Sequence, residues 1–256
     1  MHAHDRFLPE WFNRIRSRQI TLPRFQRYIA WGHSEVSGLL TTVLRGLPSG
    51  AALILEVGDE EKFKSRTMTD APDNGGKITE QLLDGQQRLT ALWRSLHDKY
   101  SDRTYLIGFE DDPHNGGNKQ PYVYGQARWE KNGIRYPVWT DSPRYCWERW
   151  LIPLKLLRPE DIKDEVDQWI EAAIPEDIED KFAAYKQLNR QVSELRTRVR
   201  EFNLPYLSLP AKTEKEVALD VFVKMNTSSV RLDTYDIIVA LVEGETGKSL
   251  HDHVEI

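Results

Sequence analysis

The stretch Gln81-Leu82-Leu83-Asp84-Gly85-Gln86-Gln87-Arg88-Leu89-Thr90-Ala91-Leu92 decides how the rest of the chain is read. Leu82 and Leu83 follow Ile78 as the apolar end of a strand, Asp84-Gly85 is a turn pair, and Leu89, Leu92, Trp93 and Leu96 recur at helical spacing. The pattern predicts a short buried strand, a two-residue turn and a helix over 86–98. Asp84, Gln86, Gln87 and Arg88 are thereby delivered to one spot. A helix N-terminus carries N–H groups with no acceptor inside the helix and the positive end of its dipole, which suits an anion. Arg88 adds a fork of donors for phosphate, Asp84 can accept from a water or hold a metal ion, and Gln86 or Gln87 can orient a water. The plainer reading makes Asp84 an N-cap and Arg88 its i+4 partner.

Upstream, Ala51 to Val57 is a continuous apolar run of strand length, buried on both faces, and Gly58 to Lys77 is a polar, turn-rich excursion. Val36, Leu39, Leu40, Val43, Leu44 and Leu47 predict one face of a helix capped by Ser34 and stopped by Gly46 and Pro48. Gln19 to Arg27, with Pro23 in its middle, reads as an edge strand or a strand entering a loop. Strand, helix, strand, loop, strand, turn, helix is the order of an α/β or α+β core.

Downstream, Thr104 to Phe109 reads as a strand, 110–149 as short strands and loops, and Leu151 to Leu154 as a return to order. From about Asp161 the composition is helical. Tyr185, Leu188, Val192, Leu195, Val199 and Phe202 fall at spacings of three and four, which fits an ordinary core helix or a dimerising seam. Leu204 to Pro210 is a proline-bounded extended piece. Thr213 with Glu216 forms a capping box before a helix carrying Val217, Val221, Phe222 and Met225, and Asn226 to Asp233 is a polar turn.

The 256 residues suffice for one large domain or a domain with an appendage, and 39% hydrophobic with 29% charged residues is the balance of a soluble globular protein. No run approaches the ~18 apolar residues of a membrane span. The N-terminus is no signal peptide, and a cytoplasmic location is the default expectation. A single cysteine, Cys146, excludes an internal disulfide and a cysteine metal cluster. The net charge of −5 argues against indiscriminate DNA coating. Yet Arg14, Arg16, Arg18, Arg24 and Arg27 share residues 11–27 with Trp11, Phe12 and Phe25 and no acid, Tyr28 following directly, which suits a phosphate backbone, a nucleotide or a solvated helix face.

Three separated stretches together resemble one family. They are Ile20 to Arg27 with Trp31; Leu83 to Thr90; and Val221 to Thr227 followed by Leu232 and Asp236-Ile237-Ile238. In that order they are similar to the N-terminal domain of GmrSD-type, modification-dependent restriction systems, the DGQQR-motif family with a ParB/sulfiredoxin-like core. Two departures stand out. Tyr28 and Ile29 occupy positions where the family tends to have proline and tyrosine, and Ser228-Ser229 follows the Asn-Thr pair where glycine is usual.

The resemblance covers roughly residues 15–100 and 205–242 and implies a ParB-like mixed core; with the order of elements and the helical composition from about Asp161, the expected organisation is that core over 1–110, a strand and loop insertion over 111–160, and a mainly helical lobe over 161–256 that returns to the core. The resemblance also implies a role in anti-phage restriction, nucleoside triphosphate hydrolysis with Mg²⁺, sensing of DNA that carries modifications, and a nuclease domain or subunit not present in this chain. His251-Asp252-His253 offers no ββα nuclease unit. On this reading Asp84, Gln87 and Arg88 are catalytic, with Asp84 also the metal ligand. Gln26, Arg27, Gly85, Gln86 and Asn226 hold phosphates, and Arg14, Arg16, Arg18 and Arg24 meet DNA. The rival expectation is a non-enzymatic DNA-binding module that recruits or controls a separate nuclease.

Overall fold

The computed structural model describes residues 2–26, 30–111, 119–226 and 242. In chain order its elements are β1 (His2–His4), α1 (Leu8–Arg16), β2 (Ile20–Pro23), α2 (His33–Leu44), β3 (Ala52–Glu56), β4 (Ser65–Arg66), β5 (Glu80–Asp84) and α3 (Gln86–Leu96). There follow β6 (Arg103–Asp111), β7 (Lys119–Ala127), β8 (Trp129–Lys131), β9 (Ile134–Tyr136), α4 (Pro143–Glu148) and β10 (Ile152–Pro153). The last are α5 (Lys163–Ala173), α6 (Lys181–Arg200), β11 (Tyr206–Leu209) and α7 (Lys215–Asn226). Mixed sheets interspersed with helices make this an α/β protein. Its backbone parts into two compact units that are each discontinuous in sequence: residues 1–30, 50–90 and 203–256, and residues 31–49 and 91–202.

The first unit is built on a sheet of order β1-β11-β3-β5-β2-β4. β11 runs parallel to β3 and β2 parallel to β5, while β3 and β5 are antiparallel. Leu53, Leu55 and Leu83 share a core with Phe25, Phe63 and the inward residues Ala218, Leu219 and Phe222 of α7. Ile54 and Leu82 point to the opposite face by the period of two and are equally buried. Helix α1 buries Leu8, Trp11, Phe12 and Ile15, the i, i+3, i+4, i+7 stripe of an amphipathic helix.

Several expectations change here. β2 is not an edge, because the two-residue β4 pairs beyond it, Leu22 opposite Arg66 and Pro23 opposite Ser65. The 58–77 excursion is therefore tied into the sheet, and it buries Phe63 and Met68. The extended piece after Leu204 is a full sheet member, β11. Helix α7 begins at Lys215, so the N-cap position falls on Glu214, whose carbonyl accepts from Ala218 N, rather than on Thr213. Val217 faces outward, 49% exposed.

The second unit holds the antiparallel sheet β10-β6-β7 and the hairpin β8-β9. α2 starts after Gly32 rather than being capped by Ser34, and Leu47 lies beyond its end and is exposed. Leu188, Val192, Leu195 and Val199 of α6 are buried within the unit, which makes the seam an ordinary core helix face. Arg198 of α6 donates to the last carbonyl of α2, Leu44 O, at 3.0 Å. Among the described residues no helix is long and apolar enough to cross a membrane.

Candidate phosphate site

Strand β5 carries Leu82 and Leu83 into the core and ends on Asp84, half-buried at the sheet margin. The chain must then reverse into α3 within one residue. Gly85 does so at φ +96°, a backbone state that a side chain strains, and a Cβ there would lie 3.1 Å from Ala52 Cβ on the neighbouring strand. Leu89 N donates to Gly85 O at 3.0 Å, the first bond of the helix. The amides of residues 86–88 thus form its first turn, where no helical carbonyl precedes them.

Arg88 turns back from that first turn toward the strand. Its Nη2 donates to Ala51 O at 2.8 Å and to Asp84 Oδ2 at 3.2 Å. The pair is largely enclosed, with 15% of the Arg88 side chain and 19% of the Asp84 side chain exposed. Burial lowers the guanidinium from its ordinary pKa, and the Asp84 charge opposes the shift. Gly50, at φ +85°, makes room for the fork, since a Cβ there would sit 2.9 Å from Nη1. Gly50 and Ala51 are the part of this site that the sequence reading missed. Their signal was a glycine placed directly before a buried strand, and its partner was 38 residues away.

Two glutamines tie the motif to the segment after β2. Gln26 is buried, and its Nε2 donates to Leu82 O at 2.9 Å and Leu83 O at 2.7 Å. Two carbonyl acceptors fix which end of the amide faces them. Gln26 Oε1 is then a buried acceptor with no hydrogen-bond partner among the described residues. Gln87 Oε1 accepts from Ala30 N at 3.0 Å. Gln26 and Ala30, on either side of residues 27–29, are therefore both bonded to the β5–α3 connection. Gln86 is buried at the start of α3. Arg27 and the side chain of Asn226 lie outside the described residues, and so does the 227–233 turn; Asn226 ends α7, which packs on β5.

Two arginines of the basic segment are paired with acids away from this motif. Arg14 pairs with Glu10 at 3.1 Å and with Glu80 at 3.2 Å. Glu80 begins β5 and Asp84 ends it, about 13 Å apart at ~3.3 Å per residue, so Arg14 serves the opposite end of the strand. Arg18, at φ +58°, pairs with Asp73 at 2.9 Å. Arg16 is half-buried at the end of α1, and Arg24 is exposed in the turn after β2. The segment lacks acids in sequence, but the fold brings them from β5 and from the excursion.

Asp84 supplies the site with one carboxylate, and among the described residues no three His, Cys, Asp or Glu side chains are grouped to hold a metal. One carboxylate with phosphate oxygens and waters is an ordinary Mg²⁺ environment, so the residues fit an ion that arrives with a nucleotide.

The arrangement is that of an α/β domain with an arginine–carboxylate pair and a helix start gathered at the end of a central strand. The family model for the GmrSD restriction endonuclease, N-terminal domain, matches residues 8–243, and the chain belongs to that family. It is therefore a restriction-system domain. A comparison with curated proteins found no match.

Proposed function

We propose that this chain is the nucleotide-hydrolysing, DNA-sensing domain of an anti-phage restriction system, with a ParB-like core and a nuclease partner. Family membership supports the setting. The observation that carries the chemistry is the enclosed Asp84–Arg88 pair at the first turn of α3. A nucleotide phosphate would draw Arg88 from Asp84, adding charge-assisted hydrogen bonds beside the helix-end amides. Asp84 then has an oxygen for the attacking water, which bonds to the terminal phosphorus as the bridging oxygen–phosphorus bond breaks. Its proton passes to Asp84. Gln87 orients that water by exchanging the Ala30 N–H for it. Gln26, with both Nε2 hydrogens on carbonyls, reaches the phosphates through a water accepted at Oε1. Mg²⁺ on Asp84 would neutralise phosphate charge when bound.

The test is phosphate release from nucleoside triphosphates with Mg²⁺, with and without plain or modified duplex DNA. Turnover that is lost in Asp84→Ala supports the reading. A second reading, a DNA-binding module without turnover, draws on the way Asp84, Arg88 and Ala51 O satisfy one another. DNA binding with no phosphate release under any condition selects it.

A further inference from the structure

Strand β4 is two residues long, and its second residue reaches past its own pairing. Arg66 lies opposite Leu22 of β2, and Ser65 opposite Pro23. The chain leaves β2 through a turn in which Gln26 N donates to Pro23 O at 3.3 Å. The 58–77 excursion holds that turn at two points. Arg24 N donates to Lys64 O at 2.9 Å, which continues the antiparallel pairing by one residue and needs no particular side chain. Arg66 Nη2 donates to Gln26 O at 3.2 Å. Gln26 lies four residues beyond Leu22, so this second bond needs a long side chain with a donor at its tip.

Gln26 is thereby held from both ends. Its main-chain carbonyl is fixed by the Arg66 guanidinium, a charge-assisted bond that holds more firmly than the neutral one to Pro23. Its buried side chain gives both Nε2 hydrogens to Leu82 O and Leu83 O, the carbonyls directly before Asp84. A glutamine has much rotamer freedom to lose on burial, and fixing where its side chain starts leaves fewer ways to miss two successive carbonyls. β4 has other ties to the sheet. Ser65 Oγ accepts from Thr21 Oγ1 at 2.9 Å and from Gln81 Nε2 at 2.8 Å, and Phe63 O accepts from Gln81 Nε2 at 2.7 Å. The other terminal nitrogen of the Arg66 fork is 3.5 Å from Thr67 O, longer than a good bond. The excursion is therefore anchored without the Nη2 bond, and what that bond adds is local to Gln26.

We infer that Arg66 is a positioning residue of the candidate phosphate site. It holds the Gln26 main chain so that the side-chain amide spans Leu82 O and Leu83 O and Oε1 is left facing the water through which Gln26 reaches the phosphates. The inference rests on the proposed nucleotide reading, and in it Arg66 acts through Gln26 rather than on the phosphates. No motif announces it, because Arg66 lies in the polar excursion between the stretches that carry the family resemblance.

The experiment uses the full chain with Arg66→Met, which keeps the aliphatic stem and removes the donors, Arg66→Lys, which keeps a donor, and Gln26→Ala. Calorimetry with the non-hydrolysable β,γ-imido analogues of adenosine and guanosine triphosphate and Mg²⁺ reads affinity. NMR of isotope-labelled glutamine side chains, without nucleotide, reads hydrogen exchange at the Gln26 amide. Arg66→Met should weaken analogue binding about tenfold, the worth of one hydrogen bond, and should speed exchange of the Gln26 side-chain hydrogens. Arg66→Lys should recover most of both. In the Gln26→Ala background Arg66→Met should weaken binding no further, since there is no side chain left to place. Unchanged Gln26 exchange in Arg66→Met, or losses of affinity that add in the double variant, overturns the inference. Loss of the folded state in Arg66→Met would make Arg66 a fold element and overturn it as well. A wild-type chain that binds neither analogue overturns the nucleotide reading and the role of Arg66 with it. A wild-type chain that binds, with Arg66→Met binding as tightly, overturns this inference alone.

Discussion

Replacing Asp84 with Asn separates a structural from a chemical role for the central motif. The side chain keeps its shape and an oxygen facing Arg88, but loses its charge. Hydrogen bonds to charged groups contribute about 1.5–3 kcal/mol and neutral ones about 0.5–1.5 kcal/mol. The single 3.2 Å contact between Nη2 and Oδ2 belongs toward the low end of the first range. With both side chains less than a fifth exposed, solvent screening takes little from it. Arg88 also keeps its 2.8 Å bond to Ala51 O. The expected loss is therefore about 1 kcal/mol, which in a protein of this size lowers the melting temperature by roughly 2–4 °C. If Asp84 receives a proton in the reaction, the same change costs about 10²–10⁴ in rate. Thermal melting and phosphate release on one preparation read both quantities. Wild-type turnover with the small melting shift would leave Asp84 as a turn residue and refute the catalytic assignment. A collapse of the melting temperature would refute the energetic reasoning.

Glu80→Gln should be far more damaging than Asp84→Asn, although it lies in the same strand. It strips the bidentate countercharge, at 2.7 and 2.8 Å, from Arg6, whose side chain is 1% exposed, and leaves it only the longer 3.4 Å pair with the half-exposed Glu10. Breaking a buried pair costs about 3–5 kcal/mol, and with Glu10 remaining the loss should fall toward the lower end of that range, readable in a urea melt. Cys146 is fully buried and burial pushes its thiol up to about 11. It should resist alkylation at about pH 8 until denaturant is added, as mass spectrometry can follow. The Asp102 carboxyl is held below its usual range chiefly by the hydrogen bond from His33, at 2.9 Å. Its folded pKa lies below its unfolded one, so its contribution is present above the unfolded value and is lost as pH falls through the folded one. Asp102→Asn should flatten the acid limb of the stability profile slightly, the carboxylate being 66% exposed.

What the sequence disclosed and what it hid follow from how far apart the interacting residues are. The β5–α3 connection was legible because its signals are local: an apolar pair, an Asp-Gly turn and a helical stripe within a dozen residues. α6 was legible for the same reason. β11 was not recognised as a sheet strand, because its pairing with β3 joins residues more than 150 apart and its own four residues are too few for a pattern. β1 was missed likewise. The acids that meet the arginine-rich segment were not legible in it, since Arg14 and Arg18 find Glu80 and Asp73 only after folding. Ala51 O entered the site as a backbone acceptor, which no side-chain motif can announce.

The contacts that make Arg88 look structural also define how a ligand would have to act. Its guanidinium is flanked by two positive-φ glycines, with a Cβ at Gly50 falling 2.9 Å from Nη1 and one at Gly85 falling 3.5 Å from Nη2. The slot therefore fits a planar fork, and a lysine would fill it with a flexible stem and no second donor plane. A phosphate competes there with one backbone carbonyl and one carboxylate that is already shared. Because Asp84 and Arg88 hold each other in the resting state, any anion that takes the arginine also changes what the carboxylate does. On the proposed reading, binding and activation of water are thus the two halves of one exchange. That coupling explains why an aspartate and an arginine four residues apart, on either side of a positive-φ glycine, suit hydrolysis better than either residue would alone.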